Sequence, residues 1–464
     1  MKRLTQDALQ KVLESEIIGE SAAMVAEYAG LSIDSRTIRR GEIFFAIIGD
    51  NNDGHEYITQ AFEKGATAVV VNKDRLQSIP VNPNQPVFAV DDTHEALMNL
   101  AGYLRRTSDA RFAAVTGSNG KTTTKEMLYT ILSQKYQVYR SPGNLNNLYG
   151  LPISLGRMPE VPFAVFELGI SVPGEMTRLA RIVKPDLAIF TNIGPAHLET
   201  MRNLEAVVQA KFELVDNLPV GAAIILNVDD EYLRSEAQRR GLQYIGYSIE
   251  RESVFKAENV HIRNGLQVSF TIQGIEITVE SPGRINVYNA LAAIAASSVW
   301  SCGGTEWRAG LAAFRPIDMR LSYEEHDNLK YLIDCYNANP ESSRAALEVV
   351  RDFETQGRKI AIMADMLELG DDSEKLHRRI GGLVADSDLD LLFCFGEMAR
   401  FIGGGAREKG FAEKNIYYFT EHQKLLDELL RQIVPGDLIL FKGSRGMALE
   451  KIVTGLKGTA FKSN

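Results

Sequence analysis

The length, composition and charge of the chain limit what it can be. Its 464 residues are too many for one hydrophobic core, and a prior of about one domain per 150 residues suggests three. With 45% hydrophobic and 24% charged residues, the composition is that of a globular enzyme and excludes disordered and fibrous classes. The 60 acidic and 51 basic residues give a net charge of −9, which disfavours nucleic acid or an anionic membrane as the main partner.

Cysteine usage and hydropathy indicate the compartment. Cys302, Cys335 and Cys394 are odd in number and widely spaced, as expected for reduced thiols, so neither a disulfide nor a zinc site is predicted. The N-terminal residues lack the apolar core of a signal peptide, and no run of 18 apolar residues occurs. We expect a cytoplasmic protein without membrane insertion.

Short apolar runs alternate with helical patterns in the first hundred residues. This alternation predicts a small N-terminal α/β domain over residues 1–107. The predicted strands are Ile43–Ile48, Ala68–Val71 and Val87–Val90, and the predicted helices are Tyr57–Lys64 and His94–Arg105.

A larger α/β domain of the P-loop ATPase type is predicted over residues 108–315. Its buried strands are expected at Phe163–Phe166, Leu187–Thr191 and Ala222–Leu226. The segment Val268–Val279 is typical instead of antiparallel strands, with Gly274 at the turn.

Pro316 interrupts a helical pattern, and a third domain is predicted over residues 316–464. Strands and helices alternate there in the manner of a doubly wound, Rossmann-like sheet. The predicted strands are Tyr331–Asp334, Lys359–Met363, Leu391–Phe395 and Leu438–Phe441, and the predicted helices are Ser342–Phe353 and Ser373–Ala385.

The strongest chemical signal is a glycine-flanked loop between an apolar strand and a helix. Gly117 and Gly120 allow backbone N–H groups to turn inward, Lys121 can reach outer phosphates, and Thr122 offers a hydroxyl to magnesium. The loop is shorter than the standard phosphate-binding pattern, because Gly117 stands only three positions before Gly120. An ordinary strand–turn–helix is the alternative, but the flanking strand and helix favour a site for ATP or GTP.

Polar residues follow the next two predicted strands. Glu167 ends one strand, and His197 lies shortly after the other. Ligands bind beyond the carboxyl ends of strands in open α/β sheets, so both side chains are candidates for a magnesium site beside the phosphates. The alternatives are a solvated carboxylate and a histidine in an ordinary polar contact.

Two further features permit more than one interpretation. Lys211 lies in a predicted helix, and its spacing alone indicates a solvated helical lysine. Asn144, Asn146 and Asn147 are typical turn residues, but three amides in four positions could also contact a ligand.

Taken together, motifs along essentially the whole chain resemble the Mur ligase family. Three of them resemble the dipeptide-adding branch of that family, namely Tyr336–Pro340, Asp365–Gly370 and Lys442–Arg445. Ala364, Ile285 and Cys335 depart from the family pattern at positions outside the phosphate chemistry. The other matching motifs are Asp34–Arg36 with Gly41, Phe44–Ala46, Asp53–His55, Thr116–Thr123, Asn192–Glu199, Ala210–Lys211 and Gly283–Ala293.

The resemblance implies a role for each of these positions. The catalytic residues would be Lys121, Lys211, His197 and Arg320. ATP would contact Thr116, Gly117, Ser118, Asn119, Gly120, Lys121, Thr122, Thr123, Asn289, Arg320 and Asp334. Magnesium would be bound by Thr122, Glu167, His197 and Lys211, the last as a carbamylated lysine. The substrates would contact Ser35, Arg36, Asp53, His55, Asn337, Asn339, Asp365 and Lys442.

The implied reaction is an ATP-dependent ligation in peptidoglycan precursor synthesis. The resemblance implies that UDP-N-acetylmuramoyl-tripeptide is activated as an acyl phosphate and joined to D-alanyl-D-alanine by a monomer whose third domain closes over ATP. The pentapeptide product would serve cell-wall biogenesis, cell shape and cell division. Two alternatives remain: another ATP-dependent amide ligase, and a nucleotide-dependent switch without ligase activity.

Overall fold

The computed structural model of the protein describes residues 5–18, 28–79 and 85–458. Three parallel or mixed sheets follow one another along the chain, each covered by helices, and a small antiparallel sheet is attached to the second. The expected three-domain α/β architecture is therefore confirmed. No helix in the described ranges is long and apolar enough to cross a membrane.

The first domain is built on a five-stranded sheet of order β1-β5-β4-β3-β2, in which only β1 is antiparallel to its neighbour. Its strands are β1 Glu16–Ile18, β2 Gly30–Ser32, β3 Glu42–Phe45, β4 Ala68–Asn72 and β5 Val87–Val90. Its helices are α1 Gln6–Leu13, α2 Ile58–Glu63 and α3 Thr93–Arg106, and 3-10 turns occupy Gly54–Tyr57 and Lys73–Ser78.

The middle domain has a seven-stranded parallel sheet of order β12-β11-β10-β9-β6-β8-β7. Its strands are β6 Arg111–Thr116, β7 Val138–Arg140, β8 Phe163–Glu167, β9 Leu187–Phe190, β10 Ala223–Asn227, β11 Ile245–Ser248 and β12 Phe255–Lys256. Its helices are α4 Lys121–Leu132, α5 Gly150–Gly156, α6 Glu175–Val183, α7 Leu198–Met201, α8 Leu204–Asp216, α9 Glu231–Arg239, α10 Ile285–Val299 and α11 Gly304–Ala313.

Helix α10 is apolar almost all round because it lies between the parallel sheet and a three-stranded antiparallel sheet. The strands of that small sheet are β13 Glu258–Arg263, β14 Gln267–Ile272 and β15 Ile275–Val279. Gly274 has a φ of +77° between the last two strands, which confirms the predicted turn.

The third domain has a six-stranded sheet of order β16-β17-β21-β18-β19-β20, with only β16 antiparallel. Its strands are β16 Ser322–His326, β17 Leu329–Asp334, β18 Lys359–Ala364, β19 Leu391–Phe395, β20 Ile416–Phe419 and β21 Leu438–Lys442. Its helices are α12 Pro340–Asp352, α13 Ser373–Ala385, α14 Arg400–Glu408, α15 His422–Gln432 and α16 Glu450–Lys457, and 3-10 turns occupy Gly370–Asp372, Glu413–Asn415 and Arg445–Met447.

A largely buried ion pair joins the first domain to the middle domain. The Arg157 guanidinium donates from Nε to Glu42 Oε1 at 2.7 Å and from Nη2 to Oε2 at 3.1 Å. Gly156 is needed beside it, because a Cβ there would lie 2.4 Å from Leu31 Cγ. The two sheets are thus held in a fixed relation by a bidentate pair and a close backbone approach.

Helices α13 and α14 of the third domain pack through glycines. A Cβ on Gly381 would lie 2.0 Å from the Ile402 carbonyl oxygen, and one on Gly405 would lie 2.1 Å from that of Arg378. The neighbouring Gly382 is different, since its nearest foreign atom to a new Cβ is 3.6 Å away on Lys409. Only part of this glycine run is required by the packing.

Gly381→Ala should therefore destabilise the third domain by about 1–3 kcal/mol through overpacking, and Gly382→Ala should stabilise its helix by about 0.5–1 kcal/mol. Denaturant midpoints followed by circular dichroism measure both changes. Equal midpoints for the two variants would contradict the close packing of α13 on α14.

Candidate functional site

A cavity of about 740 Å³ lies where the carboxyl ends of β6, β8 and β9 face the third domain. Most of the candidate residues meet in its lining. Those present are Gly117, Ser118, Asn119, Gly120, Lys121, Thr123, Glu167, His197, Lys211, Asn289, Arg320, Asp334 and Asn337, together with Asn144, Asn146 and Asn147.

The phosphate loop has the backbone that its sequence predicts. Gly117 has a φ of +148°, and a Cβ on it would lie 1.9 Å from Thr191 Oγ1. Gly120 has a φ of +79°, and its Cβ would lie 2.3 Å from Asn289 Oδ1. Any side chain at either position would collide with the next strand end or with α10, so both positions require glycine.

Hydrogen bonds from the segment after β9 fix the rest of the loop. The Asn192 carbonyl accepts from Ser118 N at 2.9 Å, and its side-chain Oδ1 accepts from Asn119 N at 2.9 Å. Helix α4 begins at Lys121, whose ammonium lies back over the loop and donates to the Gly117 carbonyl at 2.9 Å. The loop is thus preorganised at a helix N-terminus.

Glu167 is the buried carboxylate of the site, with 1% of its surface exposed. Oε2 accepts from the Thr122 hydroxyl at 2.7 Å, and Oε1 accepts from Asn146 Nδ2 at 2.8 Å. Burial alone would raise the pKa of this carboxyl. The charges of Lys121, Arg320 and Lys125, in that order, together with the hydroxyl hydrogen bond outweigh burial and bring the pKa below its usual value. The group is a carboxylate at neutral pH.

Lys211 is buried, so its interpretation as a solvated helical lysine is wrong. It is 4% exposed, and its Nζ donates to the Gly117 carbonyl at 3.1 Å. Burial and, secondarily, the charge of Lys121 hold the pKa of this amine well below its usual value. No carboxylate in the described part of the chain forms an ion pair with it. The surroundings beneath the phosphate loop therefore disfavour the charged form of this amine.

His197 has a left-handed φ of +55° and precedes α7. Its Nδ1 contacts the Glu368 carboxylate, so the described partner of this imidazole comes from the third domain. The backbone carbonyl of Glu368 also accepts a hydrogen bond from Glu199 N at 3.2 Å. His197 lies in the cavity wall, and one ring nitrogen faces across the domain boundary.

The residues present fit a magnesium ion only if oxygen donors other than carboxylates take part. Among the residues that the structure describes, no three His, Cys, Asp or Glu side chains are grouped to hold a metal. Glu167 supplies one carboxylate, and the Thr122 hydroxyl lies 2.7 Å from it. Nucleotide oxygens, water or a carbamate on Lys211 would have to complete the shell.

The third domain reaches the phosphate loop through a reciprocal amide pair. Asn339 Nδ2 donates to Asn119 Oδ1 at 2.8 Å, and Asn119 Nδ2 donates to Asn339 Oδ1 at 3.3 Å. Asn339 is also the N-cap of α12, because its Oδ1 accepts from Ser342 N at 2.9 Å. The N-terminus of α12 is thereby fixed against the loop.

Arg320 and Asp334 line the third-domain side of the cavity. The Arg320 guanidinium lies 4.0 Å from the centre of the Tyr336 ring. Asp334 Oδ2 pairs with Lys442 Nζ at 2.8 Å, and the same ammonium donates to the Asn337 carbonyl at 2.7 Å. Lys442 is 1% exposed at its side chain and does not line the cavity. It holds residues that do.

Several other candidates also lie outside the cavity lining. Thr116 and Thr122 are buried beneath the loop. Asp365 accepts Ala399 N at 2.6 Å and so holds the start of α14. Asn339 acts through Asn119, as described. Their proposed contacts with ligand stay predictions.

The candidates of the first domain form a separate group. His55 is buried, with Nδ1 2.6 Å from Asp53 Oδ1 and Nε2 accepting Asn72 N at 3.0 Å. Ser35 Oγ donates to Gln60 at 2.5 Å. Arg36 is exposed and pairs with Asp34. The direct ligand role of these residues stays a prediction.

The sequence did not reveal one residue of the cavity lining, Asp229, or one buried lysine outside it, Lys125. Asp229 lines the cavity and accepts backbone N–H groups of residues 249–251 as well as the Tyr288 hydroxyl at 3.0 Å. Its position after β10, at the same sheet edge as Glu167, was the available signal. Lys125 is fully buried one turn after Lys121, which only the spacing along α4 could have suggested.

A preorganised phosphate loop whose nucleotide cavity is completed by a second domain defines a nucleotide-using α/β enzyme. Three family models match consecutive parts of the chain: the Mur ligase family catalytic domain over residues 27–105, the Mur ligase middle domain over residues 115–297, and the Mur ligase glutamate ligase domain over residues 319–445.

Full-length relatives agree. The UDP-N-acetylmuramoyl-tripeptide–D-alanyl-D-alanine ligase of Bacillus subtilis is 37% identical over 432 residues, 92% of this chain and 93% of the relative. The enzyme of the same name from Escherichia coli is 33% identical, over 98% of this chain and 99% of the relative. A crystal structure of MurF from Acinetobacter baumannii has a TM-score of 0.87 at 27% identity, covering 99% and 100%. The crystal structure of MurF from Thermotoga maritima in complex with ADP has a TM-score of 0.78 at 26% sequence identity. The match covers 92% of this chain and 97% of that chain. The chain belongs to the Mur ligase family.

Asn119→Ala tests the contact between the third domain and the phosphate loop. The two described hydrogen bonds of the Asn119 side chain are both made to Asn339. The variant therefore removes this amide pair but leaves the hydrogen bond by which Asn339 caps α12. We expect turnover of ATP to fall about tenfold, since about 1–2 kcal/mol of partly buried hydrogen bonding is lost.

The matched control is Asn264→Gly, which removes another amide contact between the same two domains, from Glu354 N at 2.7 Å. Glycine tolerates the φ of +48° at that position. Turnover should stay within about twofold of the unmodified protein there. Equal losses in both variants would mean that the Asn119 pair has no special relation to the phosphate loop.

Proposed function

We propose that this chain joins D-alanyl-D-alanine to UDP-N-acetylmuramoyl-tripeptide with conversion of ATP to ADP and phosphate. The product is the UDP-N-acetylmuramoyl-pentapeptide used in cell-wall synthesis, and through it the enzyme serves cell shape and division. The names of the full-length relatives support this substrate pair. The observation that carries the proposal is the phosphate loop closed by Asn339 of the third domain.

The chemistry required is activation of a carboxylate, which is a poor electrophile in water. Transfer of the γ-phosphoryl group gives an acyl phosphate, and phosphate then leaves when the amine of D-alanyl-D-alanine attacks. Lys121 and Arg320 both lie in the cavity wall and neutralise charge on the transferred group. Magnesium, when bound, supplies further neutralisation of the phosphate oxygens. Contact of the third domain with the loop excludes water from the acyl phosphate.

The remaining site residues position the reactants. Ser35, Arg36, Asp53 and His55 mark the first-domain surface for the uridine nucleotide. Asn337, Asn339, Asp365 and Lys442 shape the acceptor side, where Lys442 fixes the Asn337 carbonyl at 2.7 Å. Magnesium would be held at Thr122, Glu167, His197 and Lys211.

Lys211 carries a carbamate in the active enzyme. A carbamate forms only on a neutral amine, and burial keeps the pKa of this lysine well below its usual value. The modification turns this buried amine into an anion, which is attracted to the Lys121 ammonium and provides oxygen ligands. The sole described hydrogen-bond acceptor of its Nζ, the Gly117 carbonyl at 3.1 Å, remains available to the carbamate N–H.

We infer that the three domains span residues 1–107, 108–315 and 316–464. The enzyme is a cytoplasmic monomer that neither inserts into membranes nor binds nucleic acid. The acidic balance of 60 Asp and Glu against 51 Lys and Arg supports the last point.

Phosphate release from MgATP tests the substrate pair. With UDP-N-acetylmuramoyl-tripeptide present, release should depend on D-alanyl-D-alanine and should yield a UDP-linked pentapeptide by mass spectrometry. Single D-alanine serves as the matched acceptor control. Release with single amino acids alone would assign a different amide ligase, and release without any acceptor would assign a nucleotide switch.

Carbamylation of Lys211 has its own test. In ¹³C-bicarbonate near neutral pH, the protein should give a carbamate resonance that Lys211→Ala lacks and Lys135→Ala, at an exposed lysine, retains. Since the neutral amine is the reactive form, the resonance should disappear as the pH falls through the lowered pKa. Lys211→Ala should also lose most turnover. A resonance that persists in Lys211→Ala would remove this lysine from the proposal.

A further inference from the structure

Lys125 is a fully buried cation to which the proposed reaction gives no role. Its side chain has 0% exposure, and it lies on α4 one turn after Lys121. An ammonium group has three donors, and burial is costly unless each finds an acceptor. The three acceptors are the Ser141 carbonyl at 2.7 Å, the Gly143 carbonyl at 3.1 Å and Glu126 Oε1 at 3.3 Å.

Two of these acceptors belong to the loop that follows β7. The backbone carbonyls of Ser141 and Gly143 are drawn to one point on α4, so the ammonium fixes both ends of this short segment against the phosphate-loop helix. The third acceptor, Glu126, also pairs with Arg140 at the end of β7. Lys125 therefore holds the start of the loop on α4, directly through the two carbonyls and indirectly through Glu126, which pairs with the end of β7.

The same loop continues into residues that hold Glu167. Ser141 Oγ accepts from Glu167 N at 3.3 Å, and Asn146 Nδ2 donates to Glu167 Oε1 at 2.8 Å. The Asn146 carbonyl accepts from Gly169 N at 2.9 Å. Three contacts thus connect the fastened loop with the end of β8, where the carboxylate emerges beside the Thr122 hydroxyl.

We propose that Lys125 is a positioning residue for the magnesium–nucleotide site. Its ammonium holds the loop Ser141–Asn147 on α4, and Asn146 transmits that position to the Glu167 carboxylate. Lys125 itself touches neither nucleotide nor metal. The inference rests on the proposed magnesium–nucleotide function of this cavity and adds a residue outside its lining.

The alternative is a lysine that stabilises the fold and nothing more. Such a residue would lower stability when replaced but would leave the dependence of nucleotide binding on magnesium unchanged. The two roles are therefore separated by binding measured with and without the metal, which needs neither acceptor nor turnover.

The experiment is calorimetric titration of ADP into the full-length protein, once in excess Mg²⁺ and once in EDTA. For Lys125→Met the affinity in Mg²⁺ should fall about 10–100-fold, as when a group supporting a metal ligand is removed, while the affinity in EDTA should change less than about twofold. Lys125→Arg keeps the cation but cannot match three acceptors, so it should show a smaller loss of the same kind. That second variant gives the test if Lys125→Met does not fold.

Lys135→Met is the matched control. Lys135 is an exposed lysine just after the same helix and also donates to a backbone carbonyl, that of Ser301 at 2.7 Å. In Lys135→Met the ADP affinities in Mg²⁺ and in EDTA should equal those of the unmodified protein. A loss equal to that of Lys125→Met would overturn the inference.

Asn146→Ala identifies the route of the effect. If Lys125 acts through the loop, the double variant with Lys125→Met should lose no more magnesium-dependent affinity than the more affected single variant. Additive losses, or magnesium dependence unchanged in Lys125→Met, would overturn the inference alone. Absence of magnesium dependence in the unmodified protein would overturn the proposed metal site as well.

Discussion

The site depends on one buried carboxylate. Glu167 is 1% exposed, and a charge so placed requires cations and donors on every side. Thr122 comes from the phosphate-loop helix, Asn146 from the loop after β7, and the charge of Arg320 from the third domain. Because the pKa of Glu167 is lowered, the stabilisation from its ionised form is present above the unfolded-state pKa and is lost as pH falls through the folded value. The same charge draws three parts of the chain to one point.

Seating of the third domain follows from a different kind of contact. The Asn119 and Asn339 side chains are neutral and short, and each donates one hydrogen bond to the other and accepts one. The pair therefore specifies one relative position of α12 and the phosphate loop. The His197–Glu368 contact lies at the same boundary. A nucleotide in the cavity would therefore meet residues of two domains, and its phosphates would lie where water is excluded from an acyl phosphate.

Local sequence pattern predicted the scaffold well. Ser373–Ala385 and Leu391–Phe395 have the predicted bounds, because apolar periodicity directly reflects packing on a sheet. The strands ending in Glu167 and Lys442 are one residue longer than predicted, since ladder pairing continues through a polar residue. Burial of Lys211 could not be predicted from helical spacing, because its partner Gly117 is 94 residues away in the chain. Burial of Lys125 could not be predicted for the same reason, because its backbone acceptors lie on a loop whose position does not follow from apolar periodicity.

Isotope transfer tests the central claim, activation of the substrate carboxylate at this site, most directly. UDP-N-acetylmuramoyl-tripeptide labelled with ¹⁸O in its reacting carboxylate is incubated with MgATP and D-alanyl-D-alanine, and the released phosphate is analysed by mass spectrometry. An acyl phosphate places one carboxylate oxygen in the leaving group, so each phosphate should carry one ¹⁸O. Unlabelled phosphate released together with pentapeptide would contradict the account.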